Sequence, residues 1–312
     1  MRARYLFLTL LLVLLVAVGL GATAAWRAYT RPGPLAEPAQ IVIPRGGTER
    51  IAAALLDRGV IRDARIFAAA AWATRDAGPL RAAEFAFPAG VPLAEVLRIL
   101  REERPVQRRL TIPEGLSAHQ IRALLERTEG LIGEVPAFNE GDLLPETYAF
   151  EWGETRAAIV RRADAAMDRA LAEAWAARAP DLPLANQREA LILASIVERE
   201  TGRPEERARV AGVFINRLRR GMPLQSDPTV AYAATGGVPM DRPISRADLD
   251  RDHPFNTYRI RSLPPGPIAS PGKASIGATL RPEANDFLYF VADGSGGHAF
   301  ARTLEEHNRN VA

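Results

Sequence analysis

Residues Tyr5 to Ala25 contain no charged side chain and are mostly Leu, Val and Ala. No other feature limits the fold as strongly. Coiled as a helix rising ~1.5 Å per residue, the run crosses a hydrocarbon core of about 30 Å. Arg2 and Arg4 precede it, so the positive-inside rule leaves the N-terminus in the cytoplasm and exports the rest. A cleavable signal peptide is the rival reading, with Ala22-Thr-Ala24 as its cleavage site. The uninterrupted length and the interface residues Trp26, Arg27 and Tyr29 favour a retained anchor. The expected location is therefore the cytoplasmic (inner) membrane, single-pass, with the bulk of the chain extracytoplasmic.

The exported part reads as globular. In 312 residues, 25% are charged and 47% hydrophobic, enough for one large or two modest domains. The absence of cysteine excludes disulfides and thiolate metal sites. A net charge of +3 is too small and scattered to argue for nucleic acid, but it suits an anionic surface such as a membrane or cell wall.

Thr30 to Gln40 is a Pro-rich spacer. A strand–turn–helix phrase then recurs three times. Ile43-Pro-Arg-Gly-Gly-Thr48, Phe87-Pro-Ala-Gly-Val-Pro92 and Ile112-Pro-Glu-Gly-Leu-Ser117 each lead into an apolar-periodic segment. Thr48 and Ser117 are expected to cap, Pro92 to occupy a first helical turn, and Ser117 with Gln120 to form a capping box. Such units resemble a LysM-like carbohydrate-binding module; an ordinary α+β scaffold with repeated turn chemistry fits equally. Helices are expected over 155–177, 186–200 and 205–219, the last with Val210, Val213, Phe214 and Leu218 inward. Beyond Gly221 the chain turns loop-rich, with a strand at Phe287–Val291 and a turn at Asp293–Gly297.

Within the second helix, Leu191-Ile-Leu-Ala-Ser-Ile-Val-Glu-Arg-Glu-Thr201 ends on two carboxylates. At about 100° per residue, Glu200 continues the stripe Leu193, Ile196, Val197, whereas Glu198 lies nearly opposite, over Leu191, Ala194 and Ser195. A carboxyl held against aliphatic side chains keeps its proton nearer neutrality, as a general acid must. Spacing alone fits a solvated helix end equally well. Gln225-Ser-Asp227 before Pro228 reads as a fixed turn that either presents polar groups or only shapes backbone. Asn256-Thr-Tyr258 offers an amide and a phenol suited to a sugar, or a packed tyrosine. The four histidines lack zinc-site spacing, and Ser195 within a helix cannot form a nucleophile elbow. Carboxyl chemistry on an extracytoplasmic substrate remains, and glycan cleavage suits it best.

Several motifs then follow in order. They include Ala194-Ser-Ile-Val-Glu-Arg-Glu-Thr201, Val213-Phe-Ile-Asn-Arg-Leu218, Leu224-Gln-Ser-Asp-Pro-Thr-Val230, Phe255-Asn-Thr-Tyr258, Gly266-Pro-Ile-Ala-Ser-Pro-Gly272 and Tyr289-Phe-Val-Ala-Asp-Gly294. Together they closely resemble the endolytic murein transglycosylase family (MltG, YceG-like), from about Ile41 onward. The resemblance implies an α+β chain: residues 1–4 cytoplasmic, 5–25 transmembrane, 26–40 linker, 41–108 LysM-like module and 109–312 a helix-framed, loop-rich catalytic domain. It implies a lytic transglycosylase that cuts nascent peptidoglycan internally, without cofactor or metal. Glu200 would be the catalytic acid. Tyr258 would stabilise or orient near the anomeric centre, with Gln225, Asp227 and Asn256 shaping the groove and Glu198 in support. Implied partners are peptidoglycan glycan strands, the cytoplasmic membrane and peptidoglycan synthases, with no nucleic acid. Two other readings stay open: a water-using hydrolase with Asp227 as second acid, and a non-catalytic wall-binding scaffold.

Overall fold

The computed structural model describes residues 2–311, and the chain forms two compact units. Unit 1 comprises Met1–Arg108 with Glu151–Gly153, and unit 2 comprises Arg109–Phe150 with Glu154–Ala312.

Unit 1 opens with α1 (Arg2–Thr30), whose stretch Arg4–Thr30 is long and apolar enough to cross a membrane. The helix runs on past Ala25, because nothing between Trp26 and Thr30 breaks it; Pro32 and Gly33 do. The spacer then packs down: Gly33 N–H donates to Gly90 O at 2.9 Å and Gly90 N–H to Leu35 O at 2.7 Å. β1 (Ala39–Val42), α2 (Thr48–Asp57), α3 (Ala64–Ala73), β2 (Glu84–Phe87) and α4 (Leu93–Glu102) follow. β1 pairs antiparallel with β2, Ile41 opposite Phe85. Their alternation turns Ile41, Phe85 and Phe87 inward, onto Ile51, Leu55, Phe67, Val96, Leu97 and Leu100.

β3 (Gln107–Thr111) starts in unit 1 and continues into unit 2, and β4 (Thr147–Glu151) ends on Glu151 of unit 1. Unit 2 further contains α5 (Ala118–Arg127), α6 (Arg156–Ala176), α7 (Gln187–Glu200) and α8 (Arg207–Arg219). It continues with α9 (Asp227–Thr235), α10 (Arg246–Leu249), α11 (Lys273–Leu280), β5 (Tyr289–Ala292), β6 (His298–Ala301) and α12 (Leu304–Val311). The strands form two further two-stranded sheets, β3 with β4 and β5 with β6. Helices with three small sheets give a mixed α and β architecture.

The expected caps divide. Ser117 and Gln120 form the capping box: Ser117 Oγ accepts from Gln120 N–H at 3.3 Å, and Gln120 Oε1 accepts from Ser117 N–H at 3.0 Å. Ser117 Oγ also donates to Gly237 O at 2.5 Å. Ser117→Ala should therefore cost about 1–2 kcal/mol, measured by chemical denaturation. Thr48 does not cap; it is the first helical residue after Gly47, which makes no side-chain cap bond. Pro92 is the N-cap of α4 in extended conformation, one place before the first turn.

The 225–228 segment also differs from expectation. It is the start of α9: Ser226 is the N-cap and Pro228 sits in the first turn, where its missing N–H leaves no helical bond unmade. The sequence also leaves α11 unmarked, because its apolar positions are few and its flanks are rich in Pro and Gly. Tertiary packing stabilises it instead, with Ile276 and Leu280 fully buried in the core shared by α6, α7 and α8.

Gly212 marks a close approach inside α8. A Cβ there would meet Glu283 O at 2.7 Å and Asn285 Nδ2 at 2.4 Å. Helix propensity alone favours Gly→Ala by ~1 kcal/mol. The fixed backbone carbonyl reverses that sign, so Gly212→Ala should lower stability by about 1–3 kcal/mol in thermal or denaturant unfolding.

Candidate active site

α7 forms because Asn186 caps it, Oδ1 accepting from Glu189 N–H at 3.0 Å, and an unbroken apolar run follows. Gly202 and Pro204 stop it, leaving Glu200 as its last residue. Every residue from Ala190 to Val197 is buried. Over this run the helix is thus buried on every side, Ser195 included, and the expected contrast of faces between Glu200 and Glu198 does not hold. Both carboxyls are withdrawn from water; their partners distinguish them.

Glu198 is satisfied. Its side chain is 5% exposed, its Oε2 accepts from Gly272 N–H at 2.9 Å, and its Oε1 lies 3.6 Å from Arg207 Nη2. Arg207 also reaches Glu114 Oε2 at 3.5 Å, so two carboxylates share one guanidinium. Burial, and then the charge of Glu198, lifts the Glu114 carboxyl above its usual value. Glu198 thereby ties the end of α7 to the N-cap of α11.

Glu200 is not satisfied. Its Oε1 is buried with no hydrogen-bond partner among the described residues, and so is Ser226 Oγ. Burial pushes the Glu200 carboxyl up to about 7, and the Asp227 charge adds to this. Ser226 and Arg217 pull the other way. Ser226 acts as a close dipole here, because no hydrogen bond of acceptable geometry joins the two groups. A raised pKa alone does not single out an acid. Glu140 is also lifted to about 7 by burial, yet it accepts from Ala118 N–H, with Oε2 at 3.0 Å. Among the described residues, only Glu200 combines a proton held near neutrality with an unused buried oxygen.

The other expected residues gather on two interlocked segments. Ser226 N–H donates to Thr257 Oγ1 at 3.0 Å, Gln225 N–H to Thr257 O at 3.1 Å, and Thr229 Oγ1 lies 2.8 Å from Thr257 Oγ1. Tyr258 OH donates to Asp227 Oδ1 at 2.6 Å. Burial and then that bond hold the phenol above the usual tyrosine range, so it stays a donor. Asn256 is fully buried: its Nδ2 donates to Leu249 O at 2.9 Å and Arg251 O at 2.8 Å, and its Oδ1 accepts from Tyr258 N–H at 3.1 Å. It positions Tyr258 and presents nothing to a ligand. Gln225 is exposed and held at φ +50°, a left-handed conformation that a non-glycine residue adopts at a cost of ~1 kcal/mol or more. Its Oε1 accepts from Arg217 at 3.1 Å.

Leu218, expected inward, packs partly buried against the core, but Arg217 beside it is the more deeply buried of the two. Arg217 is 7% exposed; its Nε donates to Leu288 O at 2.6 Å and its Nη1 to Leu224 O at 2.8 Å and Pro223 O at 3.2 Å. Burial lowers its pKa, while Tyr289, Tyr258 and Glu200 oppose the shift. The signal was present: Val210, Val213, Phe214 and Arg217 make one i, i+3, i+4, i+7 stripe, as Leu193, Ile196, Val197 and Glu200 do. A second unforeseen contact joins Glu206 Oε2 to His298 Nδ1 at 2.7 Å. It fixes the segment after Glu200 to the β5–β6 hairpin, whose turn is held by Asp293 Oδ1 accepting from Ser295 N–H at 2.8 Å and Gly297 N–H at 3.1 Å. Among the described residues no group of three or more His, Asp or Glu is placed to hold a metal ion.

Comparison with known proteins adds an independent observation. The YceG-like family model matches residues 41–312. The chain is similar to the endolytic murein transglycosylase of Bacillus subtilis (strain 168), 39% identical over 170 residues, which are 54% of this chain and 46% of that protein. It is also similar to the endolytic murein transglycosylase of Streptococcus pneumoniae serotype 2 (strain D39 / NCTC 7466), 32% identical over 254 residues, 67% of this chain and 45% of that protein. The chain spans about half the length of the curated relatives it matches. Among solved structures, that of a yceG-like protein from Listeria monocytogenes aligns with a TM-score of 0.55 at 28% identity, covering 88% of this chain and 99% of that one. A match running from Ile41 to the last residue, with that likeness in fold, means that the chain belongs to the YceG-like family.

Proposed function

We propose that this chain is a membrane-anchored endolytic peptidoglycan lytic transglycosylase with Glu200 as its single acid and base. The observation that carries this reading is the Glu200 carboxyl, protonated up to about pH 7 with one buried oxygen unused. Glu200 protonates the glycosidic oxygen between N-acetylmuramic acid and N-acetylglucosamine, and the C1–O bond breaks. The resulting carboxylate takes the proton from the muramyl C6 hydroxyl as that oxygen bonds to C1, leaving a 1,6-anhydro end. Atoms balance without water, and the carboxyl regains its proton. No second carboxylate is needed, unlike in an ordinary glycosidase.

Arg217 offsets the negative charge on Glu200 between the two steps, and Ser226 supplies a nearby dipole. Tyr258, oriented by Asp227 and Asn256, lies beside the developing positive charge at C1, and Gln225 positions a sugar substituent. Glu198 supports the site by holding Gly272. Unit 1 is read as a LysM-like module that engages the same polymer, a reading supported by its short strand–helix phrases. α1 is read as the anchor, with its N-terminus cytoplasmic and the rest of the chain outside, where peptidoglycan synthases would be neighbours.

Mass spectrometry of fragments released from purified glycan strands tests the proposal. Anhydromuramyl ends are expected; reducing ends would establish hydrolysis with a second acid, and no release would leave a wall-binding protein. Two substitutions refine the assignment. Glu198→Gln keeps an acceptor for Gly272 N–H, so it should lose less than ~10-fold in kcat, far less than Glu200→Gln. Tyr258→Phe removes only the phenol oxygen and should lower kcat about 10–100-fold with little change in KM. An equal loss for Glu198→Gln and Glu200→Gln would overturn the single-acid assignment.

A further inference from the structure

α3 is an apolar helix on both faces. Phe67 and Ala71 are buried in the core of unit 1, yet Ile66, Ala69, Trp72 and Ala73 are exposed. At about 100° per residue, Ile66, Ala69 and Ala73 fall within one arc of roughly 60°, with Trp72 and Arg65 on its flank. A solvated helix would place polar groups along that arc. Beside this arc runs a groove of about 450 Å³, walled by Ala22, Trp26 and Tyr29 of α1 and by Ile66, Ala69 and Ala73 of α3. The structure therefore sets an unpartnered apolar face directly against the last two turns of the helix that is long enough to cross a bilayer.

Depth along α1 identifies what covers this face. The uncharged run ends at Ala25, and a hydrocarbon core of about 30 Å is used up by about 20 residues of helix. Ala22 thus sits at the edge of the hydrocarbon, while Trp26 and Tyr29, with ring centroids 6.5 Å apart, fall in the headgroup layer favoured by aromatic side chains. Ile66, Ala69 and Ala73 line the same groove and so share that depth. The polar rim agrees. Arg27, Arg31, Arg62, Arg65 and Arg75 are all exposed near the ends of α1 and α3, against Asp63 and Asp76, and Arg75 lies 4.6 Å over the Trp72 ring. Basic side chains beside an apolar face suit anionic headgroups above acyl chains.

We propose that α3 is a second, in-plane membrane contact: its Ile66–Ala69–Ala73 face lies in the interfacial layer of the bilayer, and the groove against Trp26 and Tyr29 holds a lipid acyl chain. The transmembrane helix and this short helix then clamp unit 1 to the membrane at two points, removing the free swivel that a single anchor would leave. The inference rests on the reading of α1 as a bilayer anchor.

The lack of cysteine makes a clean test available. The full chain carrying Ala69→Cys or Ala73→Cys, each bearing a nitroxide, is reconstituted in phosphatidylethanolamine–phosphatidylglycerol vesicles. Accessibility to oxygen, which partitions into lipid, is compared with that to a water-soluble nickel chelate. Leu14→Cys on α1 serves as the lipid reference and Ala172→Cys, exposed on α6, as the aqueous one. The oxygen-to-nickel ratio at positions 69 and 73 should exceed that at 172 several-fold and approach that at 14. A lipid-like ratio at 14 with aqueous ratios at 69 and 73 overturns the second contact alone. So does protection of 69 and 73 from both reagents, since protein would then cover the face. An aqueous ratio at 14 overturns the anchor reading and the second contact with it.

Discussion

Glu200→Gln should abolish glycan cleavage, with kcat falling at least ~10³-fold, because the amide can neither give nor take the transferred proton. The same substitution should stabilise the protein, and the sign depends on pH. The folded carboxyl titrates near 7, against an ordinary value of 4.5. Between those values the native state holds a proton that the unfolded chain has released, so stability falls as pH rises through that window. The total is about 3 kcal/mol at ~1.4 kcal/mol per pKa unit, and it is fully lost above pH 7. A neutral amide does not titrate. Glu200→Gln should therefore unfold at higher temperature than the parent at pH 8, with the advantage fading towards pH 5. Thermal unfolding at both pH values, beside release of anhydromuramyl fragments, checks the two halves together. A variant that is inactive but no more stable at pH 8 would mean that Glu200 is not held protonated by burial. Parent kcat should also fall above pH 7, about tenfold per unit, as the acid form is lost.

Arg217→Met should produce the largest stability loss of any single polar substitution in the site. It removes a buried guanidinium and strands the carbonyls of Leu288 and Leu224, both buried residues. A loss of about 3 kcal/mol is expected in denaturant unfolding. Arg217→Lys should recover little of it, because a point ammonium cannot serve Leu288 O and Leu224 O from two directions. A second readout separates this from mere loosening. Arg217 holds the Glu200 pKa down, so its removal should move the high-pH limb of kcat upward while lowering the maximum. An unshifted limb would confine Arg217 to scaffolding.

Helix α7 shows how far local pattern reaches. Its cap at Asn186, its apolar run and its stop at Gly202 and Pro204 are all short-range signals, and the element follows them to within a residue. The face argument built on that helix did not survive. It assumes a stripe on a surface helix, whereas α7 runs through the core, so both Glu198 and Glu200 lose water. Arg217 was hidden for a related reason. An arginine on an apolar stripe looks like an interruption until something far away in sequence accepts its protons. In sequence, the start of α9 and the whole of α11 have the texture of turn and loop because Pro and Gly dominate their flanks, and only packing against α7 and α8 resolves that ambiguity.

From its sequence alone, this chain already determined the apolar N-terminal helix, the principal helices of unit 2, the Ser117 capping box and the position of Glu200 at the end of a buried-looking run. These depend on residues within one or two turns of each other, where spacing and capping chemistry act directly. Tertiary structure alone decided which buried carboxyl kept an unused oxygen. Glu198 is satisfied by Gly272 and Arg207, and Glu200 meets Ser226 and Arg217 without a completed bond. Partners such as Gly272 lie some seventy residues away, and the desolvation that lifts the Glu200 pKa comes from all the elements around it. Burial and hydrogen-bond completion belong to the closed chain, and no local stretch of sequence encodes them.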